Sequence, residues 1–237
     1  MRRLVDVLLV MAVAACASRP PATEAVKSPA STSPIAAVAG PPVPATKIAT
    51  QAPAPTAAAP QAPAPPKVVL QLGDSFVGGW NGLAKALAPR FEALGAKFVR
   101  DWQDSVSIAT YDHEHRIEDL IAKNQPDLVL VTLGANDVSV PFPAALAKHV
   151  ASIAHKVSAG GRACYWLSPP LWKKDTGIVD VIKQNAAPCK VFDGSNIKLS
   201  RGGDGIHPND TGGRTWAEAF FVFYNQEAEP PSNVATR

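Results

Sequence analysis

The tripeptide Gly73-Asp74-Ser75 stands inside "VVLQLGDSFVGGW", where an apolar run stops and a stretch with helical spacing begins. A serine at a helix N-terminus lies where backbone N–H groups favour developing negative charge, which suits a nucleophile. Far along the chain, Asp204-Gly205-Ile206-His207 supplies an imidazole with a carboxylate three residues before it. His207 has the chemistry of a general base that takes the serine proton and returns it to a leaving group. Asp204 can orient that imidazole and stabilise its cation. Gly134-Ala135-Asn136-Asp137 adds an amide, Asn136, as a neutral N–H donor to an oxyanion. Together these groups make a set for acyl transfer. Each also has a plain reading: Asp74 or Ser75 as a helix cap, Asn136 as a turn residue, Asp-Gly and His-Pro as loop punctuation. The elements around them decide between the two.

Five apolar runs, "KVVLQLG", "AKFVRDW", "DLVLVTLG", "RACYWLS" and "CKVFDG", alternate with stretches of helical spacing. The helical positions are Leu83, Leu87 and Leu94; Ile117, Leu120 and Ile121; Leu146, Val150, Ile153 and Val157; Ile178, Val181 and Ile182; and finally "GGRTWAEAFFVFYNQ". Continuous apolar strands indicate burial on both faces, the mark of a parallel sheet covered by helices. The pattern predicts an α/β fold, a three-layer α/β/α sandwich with a five-stranded parallel sheet. Ligands bind at the carboxyl ends of strands in such sheets. Ser75, Asn136 and the Asp204/His207 pair follow strands one, three and five.

These blocks resemble those of the SGNH hydrolases, the GDSL-type esterase superfamily. Gly73-Asp74-Ser75 matches the first block, Gly134-Ala135-Asn136-Asp137 the GxND block and Asp204-Gly205-Ile206-His207 the DxxH block. The resemblance covers about residues 68 to 224 and implies a flavodoxin-like SGNH fold and hydrolysis or transfer of acyl groups. It implies Ser75 as nucleophile, His207 as base, Asp204 as its partner and Asn136 as an oxyanion donor beside the Ser75 N–H. Phe76 stands where the family's eponymous leucine would be. The second block normally brings a glycine N–H to the oxyanion hole, yet "DWQDSVSIATYD" has no glycine. Ser107 is the first choice for that place, with Ser105 and Ile108 as alternatives.

Residues 1–16, "MRRLVDVLLVMAVAAC", carry two arginines before a short apolar stretch ending in small residues. This is a signal-peptide pattern, too short for a stop-transfer helix. Its ending resembles the bacterial lipobox, which implies lipidation of Cys16, a membrane anchor and, with Ala17 next, the outer membrane facing the periplasm. Residues 17–67 hold more than half of the 23 prolines among Ala, Ser and Thr. Such a segment offers too little apolar surface for a core and is expected as an extended, disordered linker. The folded domain is expected over 68–226, and 227–237 as a frayed tail. From Val68 onward acidic and basic residues nearly balance and no basic stripe appears, so a nucleic-acid partner is not expected.

Cys164 and Cys189 remain as a pair in an oxidising compartment, and a disulfide is expected if their strands are neighbours. Trp80, Trp102 and Trp172 lie near strand ends or the first helix, where their rings could stack on sugars; the alternative is core packing. No cofactor is expected. His113 and His115, at i, i+2 spacing on an expected helix, face apart and do not form a metal site. The reading is an envelope serine esterase acting on acylated small molecules or glycan, an O-acetyl group on carbohydrate being the first expectation. An O-acyltransferase with the same acyl-enzyme, or an inactive envelope-binding lipoprotein, are the rivals. Oligomeric state is not legible.

Overall fold

The computed structural model describes residues 64–78 and 82–228. The leader with Cys16, most of the Pro/Ala-rich segment, Trp80 and the tail from residue 229 lie outside the described residues. Five strands form one parallel sheet: β1 (Val68–Gly73), β2 (Lys97–Trp102), β3 (Leu128–Thr132), β4 (Ala163–Leu167) and β5 (Lys190–Phe192). Their spatial order is β2-β1-β3-β4-β5, every pairing being parallel. Six α-helices connect them: α1 (Leu83–Ala93), α2 (Ile108–His113), α3 (Arg116–Asn124), α4 (Ala147–Ser158), α5 (Ile178–Asn185) and α6 (Asp210–Ala228).

Alternation along each strand sends side chains to opposite faces, and both faces are buried here. Leu70, Leu72, Val129, Val131 and Trp166 point into one core with Ile117 of α3, Val150 and Ile153 of α4 and Ile178 and Ile182 of α5. Val69, Leu128, Leu130, Tyr165 and Leu167 point into the other with Leu83, Leu87 and Phe91 of α1 and Trp216 and Phe220 of α6. Each helix contributes residues three and four apart, the stripe that a 3.6-residue period places on one face. Helix starts are fixed locally. Asp175 accepts the N–H groups of Gly177, Ile178 and Val179 ahead of and within α5, and Asn209 accepts that of Gly212 in α6.

The α/β/α sandwich agrees with the alternation in the sequence. Among the described residues there is one α-helix more than the five expected, because the stretch after β2 divides. His113 ends α2, and His115 is the residue before α3. The two histidines therefore do not share a helix, and the i, i+2 argument about their faces does not apply. Among the described residues no His/Cys/Asp/Glu group has the arrangement of a metal site. No helix of the described residues is long and apolar enough to cross a membrane. Cys164 at the second position of β4 and Cys189 just before β5 are bonded, their Cα atoms 4.7 Å apart. That cross-link sits at the amino ends of the strands, the edge of the sheet away from the serine.

Candidate active site

The turn after β1 is built on a close approach. A methyl group on Gly73 would lie 1.9 Å from the carbonyl oxygen of Thr132, so only glycine lets the two strand ends meet here. The Asp74 N–H donates to that same oxygen at 3.0 Å. Asp74 itself is fully buried and accepts two backbone bonds, from Phe76 N–H at 3.0 Å and from Ala135 N–H at 3.2 Å. It ties the serine turn to the turn that carries Asn136. Burial pushes its carboxyl up to about 7, against the lowering effect of those two donors.

Ser75 is presented at the top of this turn, half-buried, with its hydroxyl 2.8 Å from Nε2 of His207. Nδ1 of His207 lies 2.6 Å from Oδ2 of Asp204. An ionised carboxylate only accepts, so Nδ1 carries the hydrogen and Nε2 is left to receive the serine proton. The other carboxylate oxygen accepts the N–H groups of Ile206 and His207 at 2.8 and 3.0 Å. With the imidazole bond as the leading cause, these bonds hold Asp204 down to about 2. The histidine loop is closed on itself by Gly202 N–H donating to His207 O at 2.8 Å and by the Arg201–Pro208 bridge. The Arg201 guanidinium donates to Ile206 O and, at 3.2 and 3.1 Å, to Pro170 O and Leu171 O. The ring of Phe76 packs against the imidazole, their centroids 5.4 Å apart.

Asn136 and Asp137 grip the loop that follows β2. Asn136 Nδ2 donates one hydrogen to Val106 O at 2.9 Å, which leaves its second N–H for a ligand. Asp137, buried, accepts the N–H of Ile108 at 3.0 Å, and burial raises its carboxyl above the usual range. The two bonds bracket residues 106–108 and so set the residue just before them. Ser105 has φ +59°, the left-handed region that favours glycine. It lines a cleft of about 450 Å³ together with Ser75, Asp104, Gly78, Asp204 and His207.

Ser107 and its alternative Ser105 are placed differently. Ser107 is the N-cap of α2, its hydroxyl accepting the N–H of Thr110 at 3.2 Å, and it does not line the cleft. Ser105 holds the glycine-like position; a positive φ at a non-glycine residue leaves no mark in the sequence. Of the three tryptophans, Trp102 and Trp172 are described. Trp102 lies behind the cleft wall, against Gly78, where an added methyl would come within 2.2 Å of the indole. Trp172 packs 5.5 Å from Phe76 and touches both cores. Both rings are half-buried, Trp102 against Gly78 and Trp172 against Phe76, and neither is among the described residues that line the cleft.

Residues 68–190, just over half of the chain, match the family described as "Protein of unknown function (DUF459)". The chain belongs to the DUF459 family. Solved structures give this DUF459 protein its fold. The carbohydrate acetylesterase Est24 from Sinorhizobium meliloti superposes with a TM-score of 0.56 at 19% identity, over 68% of this chain and 98% of that one. A lipase/acylhydrolase from Enterococcus faecalis gives 0.55 at 17%, over 69% and 98%. A GDSL-like lipase from Bacteroides thetaiotaomicron gives 0.50 at 16%, over 68% and 89%. No curated protein matches the chain. The chain has the SGNH hydrolase fold; its Gly-Asp-Ser and Gly-Ala-Asn-Asp blocks lie within the matched residues, its Asp-Gly-Ile-His block follows them, and contacts through Asp74 and Ser75 join the three.

Proposed function

We propose that this protein is a serine esterase of the cell envelope that removes ester-linked acyl groups, O-acetyl groups on carbohydrate first among them. The observation that carries the reading is the chain of contacts from Ser75 Oγ through His207 Nε2 and Nδ1 to Asp204, at 2.8 and 2.6 Å. Ser75 Oγ attacks the ester carbonyl carbon while its proton passes to Nε2. The oxyanion is received by the N–H groups of Ser75 and Ser105 and by the free N–H of Asn136. Collapse breaks the carbon–oxygen bond of the leaving alcohol, which takes the proton from His207. Water then attacks the acyl-Ser75 carbonyl, gives its proton to Nε2, and serine and acid are released.

Deacylation needs water at the carbonyl, and an open cleft of about 450 Å³ admits it. Among the described residues the lining is rich in glycine and short polar side chains and holds no large aliphatic side chain, which suits a short acyl group. The likeness to a carbohydrate acetylesterase supports a sugar alcohol as leaving group. Cys16 as a lipid anchor and residues 17–67 as a tether would place the domain in the periplasm of an outer membrane, within reach of envelope glycan. The test is hydrolysis of p-nitrophenyl acetate and of acetylated xylo-oligosaccharide by the protein and by Ser75→Ala. Acetate release that disappears with Ser75→Ala is the expected result. Equal release by the variant overturns the reading.

A further inference from the structure

One residue in the cleft carries a conformation that its side chain opposes. Ser105 sits at φ +59°, where a Cβ meets the backbone and glycine does not. The bonds from Asn136 to Val106 O and from Ile108 N–H to Asp137 impose this geometry from the residues that follow. A glycine would satisfy the backbone better, yet a hydroxymethyl group stands there, exposed in the cleft. Backbone strain kept at a site is a reason to ask what the side chain does.

Its neighbour poses the same question. Asp104 is exposed on the same wall and, among the described residues, neither its carboxylate nor the Ser105 hydroxyl has a hydrogen-bond or ion-pair partner. Every other carboxylate at the site is committed: Asp74 and Asp137 to backbone N–H groups, Asp204 to His207. Gly202 and Gly203 also line the cleft and bring no side chain to fill it. Among the described residues no Lys or Arg lines the cleft.

We propose that Asp104 and Ser105 form the recognition site for the leaving group of the ester, and that this group is a neutral polyol presenting adjacent hydroxyls, as a sugar ring does. The inference rests on the esterase reading and names its substrate class. A carboxylate accepts only, and its two oxygens match two neighbouring O–H donors. The serine hydroxyl can donate to a ring or glycosidic oxygen or accept a further O–H. The same carboxylate repels leaving groups that carry phosphate or carboxylate, so nucleotide-bearing thioesters are disfavoured.

The substitutions separate recognition from folding. Ser105→Gly removes the hydroxyl in the direction the backbone prefers, so its melting temperature is not lowered. Asp104→Asn keeps shape and loses the charge and one acceptor. The ratio of kcat/KM on acetylated xylo-oligosaccharide to kcat/KM on p-nitrophenyl acetate should fall about tenfold in Asp104→Asn, the size of one charged hydrogen bond. It should fall severalfold in Ser105→Gly, both through KM. Binding of unesterified xylo-oligosaccharide to Ser75→Ala, followed by calorimetry, should weaken about tenfold when Asp104→Asn is added. Unchanged ratios in both variants, or glycan binding indifferent to Asp104→Asn, overturn the proposal. The binding measurement needs no turnover, so it judges this site even if hydrolysis proves independent of Ser75, which would count against the esterase reading alone.

Discussion

At the scale of residues, the site is a set of acceptors and donors fixed before substrate arrives. Asn136 gives one amide hydrogen to Val106 O and keeps the other, so on the proposed mechanism its removal would loosen the loop as well as take away an oxyanion donor. Asn136→Ala should lower kcat by about 10²–10³-fold with little change in KM, the range for loss of one such donor. Steady-state kinetics on p-nitrophenyl acetate check this. Asp74 gives a second prediction. Its carboxyl, pushed by burial to about 7 from an ordinary 3.8, holds a proton in the folded protein that the unfolded chain has already released. Its contribution is therefore complete below about pH 4 and is lost as pH rises through 7. The Asp74 carboxyl carbon should titrate in NMR with a midpoint near pH 7. A midpoint near 4 contradicts the account of its burial.

At the scale of elements, the blocks were legible in the sequence because each strand ends in residues with strong local meaning. A buried parallel strand reads as an apolar run, and Gly73 marks the point where two strand ends touch. The Asp-to-His spacing fits within one turn of loop, so the dyad was readable without the fold. The oxyanion loop was not. Whether Ser105 or Ser107 faces the cleft depends on where α2 begins, and that is set by Asp137 reaching across from another strand end. Likewise the tryptophans were ambiguous because a ring near a strand end can face the cleft or the core, and the neighbours that Trp102 and Trp172 meet, Gly78 and Phe76, are brought to them by the fold. The Cys164–Cys189 bond joins residues 25 apart between β4 and β5. Cys164→Ser with Cys189→Ser should cost about 3 kcal/mol by the chain-entropy account, measured by guanidinium unfolding. It should leave kcat nearly intact under native conditions, because the bond lies at the other edge of the sheet from Ser75.

At the scale of the whole molecule, sequence composition and structure speak about different parts. The α/β/α sandwich accounts for residues 68 to 228, and Cys16 and the Pro/Ala-rich segment lie outside the described residues. The proposal that acyl chains on Cys16 hold the domain at a membrane has its own test. The full chain made in a Gram-negative host should sediment with membranes, and Cys16→Ser should move most of it to the soluble periplasmic fraction. An unchanged distribution counts against the anchor and leaves the chemistry of the domain standing.

The central claim is an activated serine, and it needs no natural substrate to be tested. The purified protein should be treated with a fluorophosphonate probe and the adduct read by intact mass and peptide mapping. The account predicts one adduct, on Ser75, formed rapidly in the protein and lost in His207→Ala, because Nε2 at 2.8 Å is what takes the serine proton. A well-folded protein that stays unlabelled, or that labels equally fast without His207, contradicts it.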